Sequence, residues 1–156
     1  MRITLVAVGR LRPGPERALY EHYAGRITEQ GLAKITVKEV EARKPLAAEA
    51  LKAHEAELLL AALPVGARLW ALDAGGRALT SEAFAERLRA ARDEGLQDLA
   101  IAIGGAEGLA PSLIQRAELV LSLGAVTWPH LLVRGLLAEQ LYRAQSILTG
   151  HPYHRS

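Results

Sequence analysis

The sequence contains no cysteine, and it has only one phenylalanine and two tryptophans among its 156 residues. The absence of cysteine excludes a disulfide framework, a thiolate metal site and a cysteine nucleophile. The chain also has no apolar run near the roughly 18 residues that a membrane span requires. Its start lacks the long apolar segment and small-residue cleavage site of a secretory signal. We therefore expect a cytoplasmic protein that has no membrane association.

Charge and composition narrow the class of protein less sharply. Nineteen Lys and Arg residues oppose seventeen Asp and Glu residues, which gives a net charge of +2, and the pI is about 9.1. This mild excess of positive charge permits nucleic-acid binding but does not require it. Because half of the residues are apolar and the chain is short, we expect residues 1–156 to form one globular domain.

Short apolar runs alternate along the chain with longer stretches rich in Ala, Leu and Glu. This alternation predicts an α/β fold, with a mostly parallel sheet and helices on both faces. Parallel sheets bind ligands at the carboxyl ends of their strands, so the loops that start at Leu72, Gly104 and Leu123 should lie on the functional edge. The predicted strands are 3–8, 35–40, 68–72, 99–103 and 119–123, and the predicted helices are 15–30, 46–63, 81–94 and 132–149, with a short helix at Pro111.

The last predicted helix is apolar on too many sides for an ordinary surface helix. Its apolar residues are Leu132, Val133, Leu136, Leu137, Leu141, Ala144, Ile147 and Leu148. A band this broad indicates burial on two sides. The sheet would cover one side, and the other would face either a second subunit or the core of a monomer. We favour the second subunit, and hence a dimer.

The segment 103–108, Ile-Gly-Gly-Ala-Glu-Gly, lies between a predicted strand and a predicted helix. Glycines at such a position allow positive φ angles and a close approach of the backbone to a ligand. The spacing matches neither the dinucleotide fingerprint nor the Walker loop, and no Lys-Ser or Lys-Thr follows. A phosphate cradle is therefore disfavoured, and a tight turn without a ligand stays open as the alternative.

The segment 123–130, Leu-Gly-Ala-Val-Thr-Trp-Pro-His, is an uncharged loop between a strand and a helix. Backbone amides and apolar walls of this kind suit an adenine ring better than a phosphate. Trp128 could instead belong to the core. Pro129 is expected to begin the last helix, with His130 in its first turn.

The chain closes with His151-Pro152-Tyr153-His154-Arg155 after the last helix. These side chains offer proton transfer, base stacking and phosphate contact within one short stretch. Tails of this kind also often fray and carry no function.

Metal and serine-hydrolase chemistry both fit the sequence poorly. His130, His151 and His154 are the clustered candidate ligands, but no Asp lies near them and Glu139 is a helix away, so no zinc pattern is met. The sequence also has no G-x-S-x-G nucleophile elbow. We expect no metal.

Taken together, these segments resemble the bacterial large-subunit ribosomal RNA pseudouridine N3-methyltransferases of the SPOUT superfamily. The similarity spans essentially the whole chain, and the closing motif is its most specific part. The matching segments are 5–9, Leu72-Asp73 with Gly76, 103–109, 127–130, 141–144 and 151–155.

The resemblance implies a SPOUT methyltransferase domain over residues 1–156 that has a C-terminal trefoil knot, an exception to the rule against threaded loops. It also implies a homodimer packed through the knotted region, S-adenosylmethionine as methyl donor, and 23S rRNA within the ribosome as substrate. Relatives often carry Ser or a bulkier residue at position 124 or 125, and Leu or Phe at 128. The implied donor contacts are Leu72, Gly104, Leu123, Gly124, Ala125, Val126, Thr127 and Trp128.

The resemblance further implies that Tyr153, His154 and Arg155 meet the RNA over the partner subunit's cofactor. His154 is then the candidate for removing the N3 proton of pseudouridine, and Tyr153 could stack on the base. Arg155 or Arg134 would stabilise an anionic carbonyl or a phosphate. Two rivals stay open, namely a non-catalytic ribosome-assembly or RNA-binding factor with the same fold, and an unrelated α/β domain that binds a nucleotide through Gly104 and Gly105.

Overall fold

A computed structural model describes residues 1–28, 31–32 and 34–155 of the chain. Strands and helices alternate along these residues, as the sequence pattern predicts. The strands are β1 (Arg2–Val8), β2 (Lys34–Val40), β3 (Arg68–Ala78), β4 (Asp98–Ile103) and β5 (Leu119–Ser122). The helices are α1 (Pro15–Ala24), α2 (Ala48–Ala61), α3 (Ser81–Asp93), α4 (Pro111–Arg116) and α5 (Val133–Thr149).

The five strands form one sheet in the order β2-β1-β4-β3-β5. Every neighbouring pair is parallel, which confirms the predicted sheet type. The pairing of β3 with β5 shifts register between Leu72 and Arg77, so the intervening residues bulge out of the ladder. This bulge places residues 73–76 at the carboxyl edge of the sheet, where β3 would otherwise have ended.

Helices cover both faces of the sheet, as the alternation of strands and helices predicts. One buried cluster joins α3 and α5 to alternate residues of β1, β3, β4 and β5. The second cluster joins α2 and α4 to the residues between them. Trp70, for example, packs against Phe84 of α3, whereas its neighbour Ala71 lies in the second cluster. A strand buried on both faces is nearly all apolar, which is why β1 and β4 read as continuous apolar runs.

Helix α5 lies against both α1 and α3, so its apolar band is covered on two sides inside one chain. Leu137, Leu141 and Ala144 are fully buried in this arrangement. The band therefore does not itself require a second subunit, and the homodimer stays a prediction. No helix in the described part of the chain combines the length and apolar character needed to cross a membrane.

Two predicted helix boundaries differ from the structure by more than two residues. Helix α1 ends at Ala24 rather than at position 30, because the chain turns at Gly25 and Gln145 of α5 accepts the N–H of Thr28 at 2.9 Å. Glu29 and Gln30 themselves lie outside the described residues. The prediction that Pro129 begins the last helix is wrong. Its carbonyl accepts the N–H groups of residues 132 and 133 in a turn that precedes α5, which satisfies donors that a helix start leaves open.

Candidate active site

Three loops meet where β3, β4 and β5 end at the carboxyl edge of the sheet. They enclose a cavity of about 380 Å³, which is closed on one side by the start of α5. Six of the eight predicted donor contacts line it, namely Leu72, Gly104, Leu123, Gly124, Val126 and Trp128, whereas Ala125 and Thr127 do not. The geometry thus brings together most of the residues that the sequence singled out.

A second cavity of about 460 Å³ adjoins the first. The two share Leu72 and the loop residues 122–124 and Trp128, so the loop after β5 lies between them. Side chains at the start of α3 and in the first half of α5 form the rest of the second cavity, including Ser81, Glu139 and Gln140. We call the cavity of about 380 Å³ the loop cavity and this one the helix cavity.

Trp128 belongs to the cavity walls and not to the core. Its side chain is 40% exposed, and its indole Nε1 donates to the carbonyl of Leu123 at 3.3 Å. Val126 of the same loop is 60% exposed. The alternative that Trp128 is a core residue is therefore wrong, and two large apolar side chains stand exposed at the mouth of the loop cavity.

The glycine-rich segment forms a tight turn and a cavity wall at the same time. A Cβ added at Gly104 would lie 2.7 Å from the carbonyl carbon of Gly108, a distance that real Cβ atoms do not reach. The turn closes through the N–H of Gly108, which donates to the carbonyl of Gly105 at 3.0 Å. Glycine at position 104 is thus required by the close approach of two backbone segments.

The charges of the loop cavity favour a cationic ligand over a phosphate. Asp73 lines it, and its carboxylate is held by the N–H of Gly75, which donates to Oδ1 at 2.9 Å. Among the described residues that line this cavity, none is Lys or Arg. His130 also lines it, and burial, together with the charge of Arg134, lowers the pKa of its imidazole. The carboxylate would repel a pyrophosphate, and a neutral imidazole offers it no compensating charge.

Arg134 is fully buried and serves as a bridge between three elements. From α5, its Nη2 donates to the carbonyl of Val8 at 2.9 Å and to that of Gly9, at the end of β1. Its Nη1 contacts Oε1 of Glu39 in β2 at 2.6 Å. These contacts occupy the guanidinium inside the protein, away from the lining of both cavities. The structure thus supports a positioning role for Arg134, and its predicted contact with an RNA anion gains no support.

The tail lies beside the helix cavity of its own chain. The hydroxyl of Tyr153 donates to Oε1 of Glu139 at 3.0 Å, and its ring lies 4.6 Å from that of Tyr142. The guanidinium of Arg143 lies 4.9 Å from the Tyr153 ring centroid. Burial, followed by hydrogen bonds to Tyr23 and Glu139, raises the pKa of Tyr153, so the phenol stays protonated.

The other two tail residues reach the start of α3 and the solvent. Nε2 of His154 contacts Oε1 of Glu82 at 2.9 Å, and its buried Nδ1 has no hydrogen-bond partner among the described residues. Arg155 is exposed. Neither cavity is lined by Tyr153, His154 or Arg155 of the same chain.

The predicted donor contacts did not include Asp73, His130 or Glu139, although all three line one of the two cavities. Asp73 directly follows Leu72 and His130 closes the segment 123–130, so both lie in segments that the sequence had already singled out. Glu139 had no sequence signal of its own, since only the packing of α5 beside α3 brings it to the cavity. The described residues contain no group of three or more metal-ligating side chains. The expectation of no metal stays a prediction.

The loop cavity lies at the carboxyl edge of a parallel sheet, where such sheets bind small ligands, and its described lining is mostly apolar with one carboxylate. A family model described as "Predicted SPOUT methyltransferase" matches residues 1–154. The chain belongs to this SPOUT methyltransferase family, which confirms the resemblance seen in the sequence.

Curated relatives agree with the family assignment over full length. The chain is 59% identical over 156 residues to a protein of Rhodospirillum centenum, and 56% identical over 156 residues to one of Rhodospirillum rubrum, each covering 100% of both chains. It is 54% identical over 159 residues to a protein of Rhizobium leguminosarum, covering 99% of both chains. All three relatives are named ribosomal RNA large subunit methyltransferase H.

Proposed function

We propose that the protein is an S-adenosylmethionine-dependent methyltransferase that methylates N3 of a pseudouridine in 23S rRNA, within the ribosome and in the cytoplasm. The observation that carries this proposal is the meeting of three strand-end loops in a cavity whose described lining has one carboxylate and neither Lys nor Arg. The family match and the names of the relatives support the same activity. They disfavour a non-catalytic assembly factor.

The residues present fit S-adenosylmethionine. The two adjoining cavities, of about 380 and 460 Å³, fall within the size range of small-molecule sites. Apolar side chains and loop backbone, notably around Leu72 and Leu123, suit an adenosine. The carboxylate of Asp73 suits the positive charge of a sulfonium. When bound, this donor supplies an electrophilic methyl group.

The rare topology of the family, a C-terminal trefoil knot, is also part of the proposal. After β5, at one edge of the sheet, the chain returns across the ends of β3 and β4 to reach β1, where Arg134 binds the carbonyl of Val8. The second part of β3 pairs with β5 through Arg77 and Ala78 on the far side of the register shift. The proposed knot requires this return path to pass beneath the extension.

A homodimer would complete the site. Val126 and Trp128 stand exposed at the mouth of the loop cavity, and large apolar side chains at a ligand site are often covered by a partner. The tail of one chain reaches only the outer side of its own helix cavity. In the proposed dimer, the tail of each protomer contacts RNA over the cavity of the other.

The transfer itself needs loss of the N3 proton and alignment of the nitrogen with the methyl group. His154 is the candidate base, Tyr153 the candidate stacking residue and Arg155 the candidate partner for an anionic carbonyl. His130 is a second candidate base, since its lowered pKa leaves it neutral and it lines the loop cavity. Arg134 is proposed to hold β1, β2 and α5 in position relative to each other.

The cofactor proposal is tested by isothermal titration of the protein with S-adenosylmethionine, ATP and NAD in parallel. Selective binding of S-adenosylmethionine is expected. Gly104→Ala should weaken it at least about tenfold, because the added Cβ forces the turn open. Gly25→Ala is the matched control, at the end of α1, where φ is −67° and an added Cβ would lie 3.1 Å from the carbonyl oxygen of Glu21, a milder contact than at Gly104. Binding of ATP or NAD in place of S-adenosylmethionine would refute the proposal.

The substrate proposal is tested by single-turnover methylation of ribosomes followed by mass spectrometry of the modified nucleoside. His154→Ala should abolish the rate without changing donor affinity, while His54→Ala on α2 should leave it intact. An unchanged rate for His154→Ala would contradict its role as the base and favour His130 instead. Ribosome binding without methyl transfer would instead support the assembly-factor alternative.

A further inference from the structure

The loops after β1 and β2 carry a group of basic side chains that the proposed reaction does not use. Residues 9–14 follow β1 and residues 41–47 follow β2. Because all five strands are parallel, both loops lie at the same edge of the sheet as the loop cavity. The basic residues of these loops are Arg10, Arg12, Arg43 and Lys44, all exposed, and the one acidic residue within them is Glu41. We call these four cations and their loops the basic edge.

The two loops are fixed to each other and to the active-site frame. The N–H of Gly9 donates to the carbonyl of Val40 at 2.8 Å, and the N–H of Leu11 donates to Oε1 of Glu39 at 2.9 Å. Glu39 is the same carboxylate that Arg134 binds from α5. Helix α5 begins directly after the loop that forms the cavity wall. The basic edge therefore keeps a fixed position relative to the loop cavity.

The cations of the basic edge are available to an external anion. Arg12, Arg43 and Lys44 form no ion pair among the described residues, whereas Arg2, Arg17 and Arg89 each contact a carboxylate. Arg10 contacts Glu41 at 3.5 Å, but both side chains are more than half exposed, so this pair is weak. Because the whole chain has a net charge of only +2, its positive excess is concentrated on these two short loops, and the rest of the chain is nearly neutral.

From this placement we infer that the basic edge binds the phosphate backbone of rRNA beside the target nucleotide. The inference rests on the proposed function. Exposed Arg and Lys on short loops position a nucleic acid through its phosphates and carry no sequence information by themselves. The described residues form one sheet with its covering helices, and a phosphate contact next to the cavity supplies affinity that the small cavity lacks.

The test compares two triple variants on whole ribosomes. The first is Arg12→Ala/Arg43→Ala/Lys44→Ala. The matched control is Arg87→Ala/Arg89→Ala/Arg116→Ala, which removes three exposed cations from the second half of α3 and the end of α4, towards the opposite edge of the sheet. For each, S-adenosylmethionine affinity is measured by titration, and KM and kcat for ribosomes are measured between about 50 and 200 mM salt.

For the basic-edge triple, we expect unchanged donor affinity, unchanged kcat and a KM raised about tenfold or more at the lower salt concentration. A plot of the logarithm of ribosome affinity against the logarithm of salt concentration should have a slope smaller in magnitude by about two, because each lost phosphate contact removes about 0.7 to 0.9 from it. Equal effects of both triples, or none from the basic-edge triple, would overturn the inference. Failure of the unaltered protein to bind the donor or to methylate ribosomes would instead refute the proposed function.

Discussion

A single buried guanidinium, that of Arg134, joins β1, β2 and α5 just behind the loop cavity. Burying a cation is unfavourable unless its charge is compensated and its donors are bonded. Here one carboxylate and two carbonyls accept from the two Nη groups, while the buried Nε has no partner among the described residues. Removing it would leave Glu39 without its cation and two carbonyls without a donor. A sequence motif alone could not separate this role from RNA contact, since an arginine near an active-site loop is compatible with both.

Arg134→Gln should lower the free energy of unfolding by about 3 kcal/mol, because it leaves a partly buried charge uncompensated. The measurement is urea denaturation. The matched control is Arg89→Gln, whose exposed pair with Glu86 should contribute less than about 1 kcal/mol. A variant that keeps full stability and donor affinity but loses methyl transfer would contradict the positioning role and favour the catalytic one.

His130 should make the stability of the protein depend on pH. Its pKa lies below the usual 6.5 in the folded state, because burial and Arg134 disfavour the imidazolium. The unfolded chain therefore takes up the proton at higher pH. The contribution of His130 is complete above about pH 6.5 and is lost as pH falls towards the lowered pKa of the folded state.

The check is the difference in unfolding free energy between the unaltered protein and His130→Gln from pH 5 to pH 8. The unaltered protein should lose more stability than the variant as pH falls below 6.5. Parallel curves across this range would show that the imidazole titrates normally. The second candidate base would then lose its support.

At the scale of elements, the packing of α5 on α1 depends on one position without a side chain. A Cβ added at Gly135 would lie 2.6 Å from Cδ2 and 2.7 Å from Cγ of Leu19. Gly135→Ala should therefore lower stability by about 1 to 2 kcal/mol, even though Ala favours the helix by about 1 kcal/mol. Shortening the Leu19 side chain should relieve this clash.

A double-mutant cycle measures this contact. The loss in Gly135→Ala/Leu19→Ala should be smaller than the sum of the two single losses by about 1 kcal/mol or more, because the removed side chain frees the space. Strict additivity would mean that the added Cβ and the Leu19 side chain do not clash, which would contradict this prediction.

The elements that local pattern determines were predicted well from the sequence, and those set by tertiary contacts were not. Buried parallel strands are continuous apolar runs, so all five appear within one or two residues at most ends, except that β3 continues to Ala78 through its bulge. The end of α1 depends on a partner more than a hundred residues away, since Gln145 contacts Thr28. The turn at Pro129 depends on the change of chain direction before α5.

The candidate site divides in the same way. Leu72, Gly104 and the loop after β5 follow predicted strands, so topology alone brought six of the eight predicted contacts into one cavity. Glu139 lies in mid-helix and Tyr153 finds its neighbours through packing, which no spacing rule describes. A knot, such as the one proposed, is a property of the path of the whole chain, and periodicity carries no information about it.

At the scale of the whole molecule, the proposed dimer predicts that the tail of each protomer serves the cavity of its partner. In one chain, Tyr153 and His154 dock on α5 and α3, beside the helix cavity but outside its lining. Sedimentation should first give the mass of a dimer, twice 16.8 kDa. A mixed dimer then separates the two arrangements, because each protomer can be given a different defect.

One protomer carries Gly104→Val, which fills the turn of the loop cavity, and the other is truncated after Gly150 and lacks the tail. If the tail acts on the partner's cavity, one intact tail meets one intact cavity, and the mixed dimer should keep about half of the normal rate per dimer. If the tail acts within its own chain, every site is defective and the rate should vanish. Homodimers of each variant, both inactive, are the controls, and an inactive mixed dimer that still binds one donor would overturn the shared site.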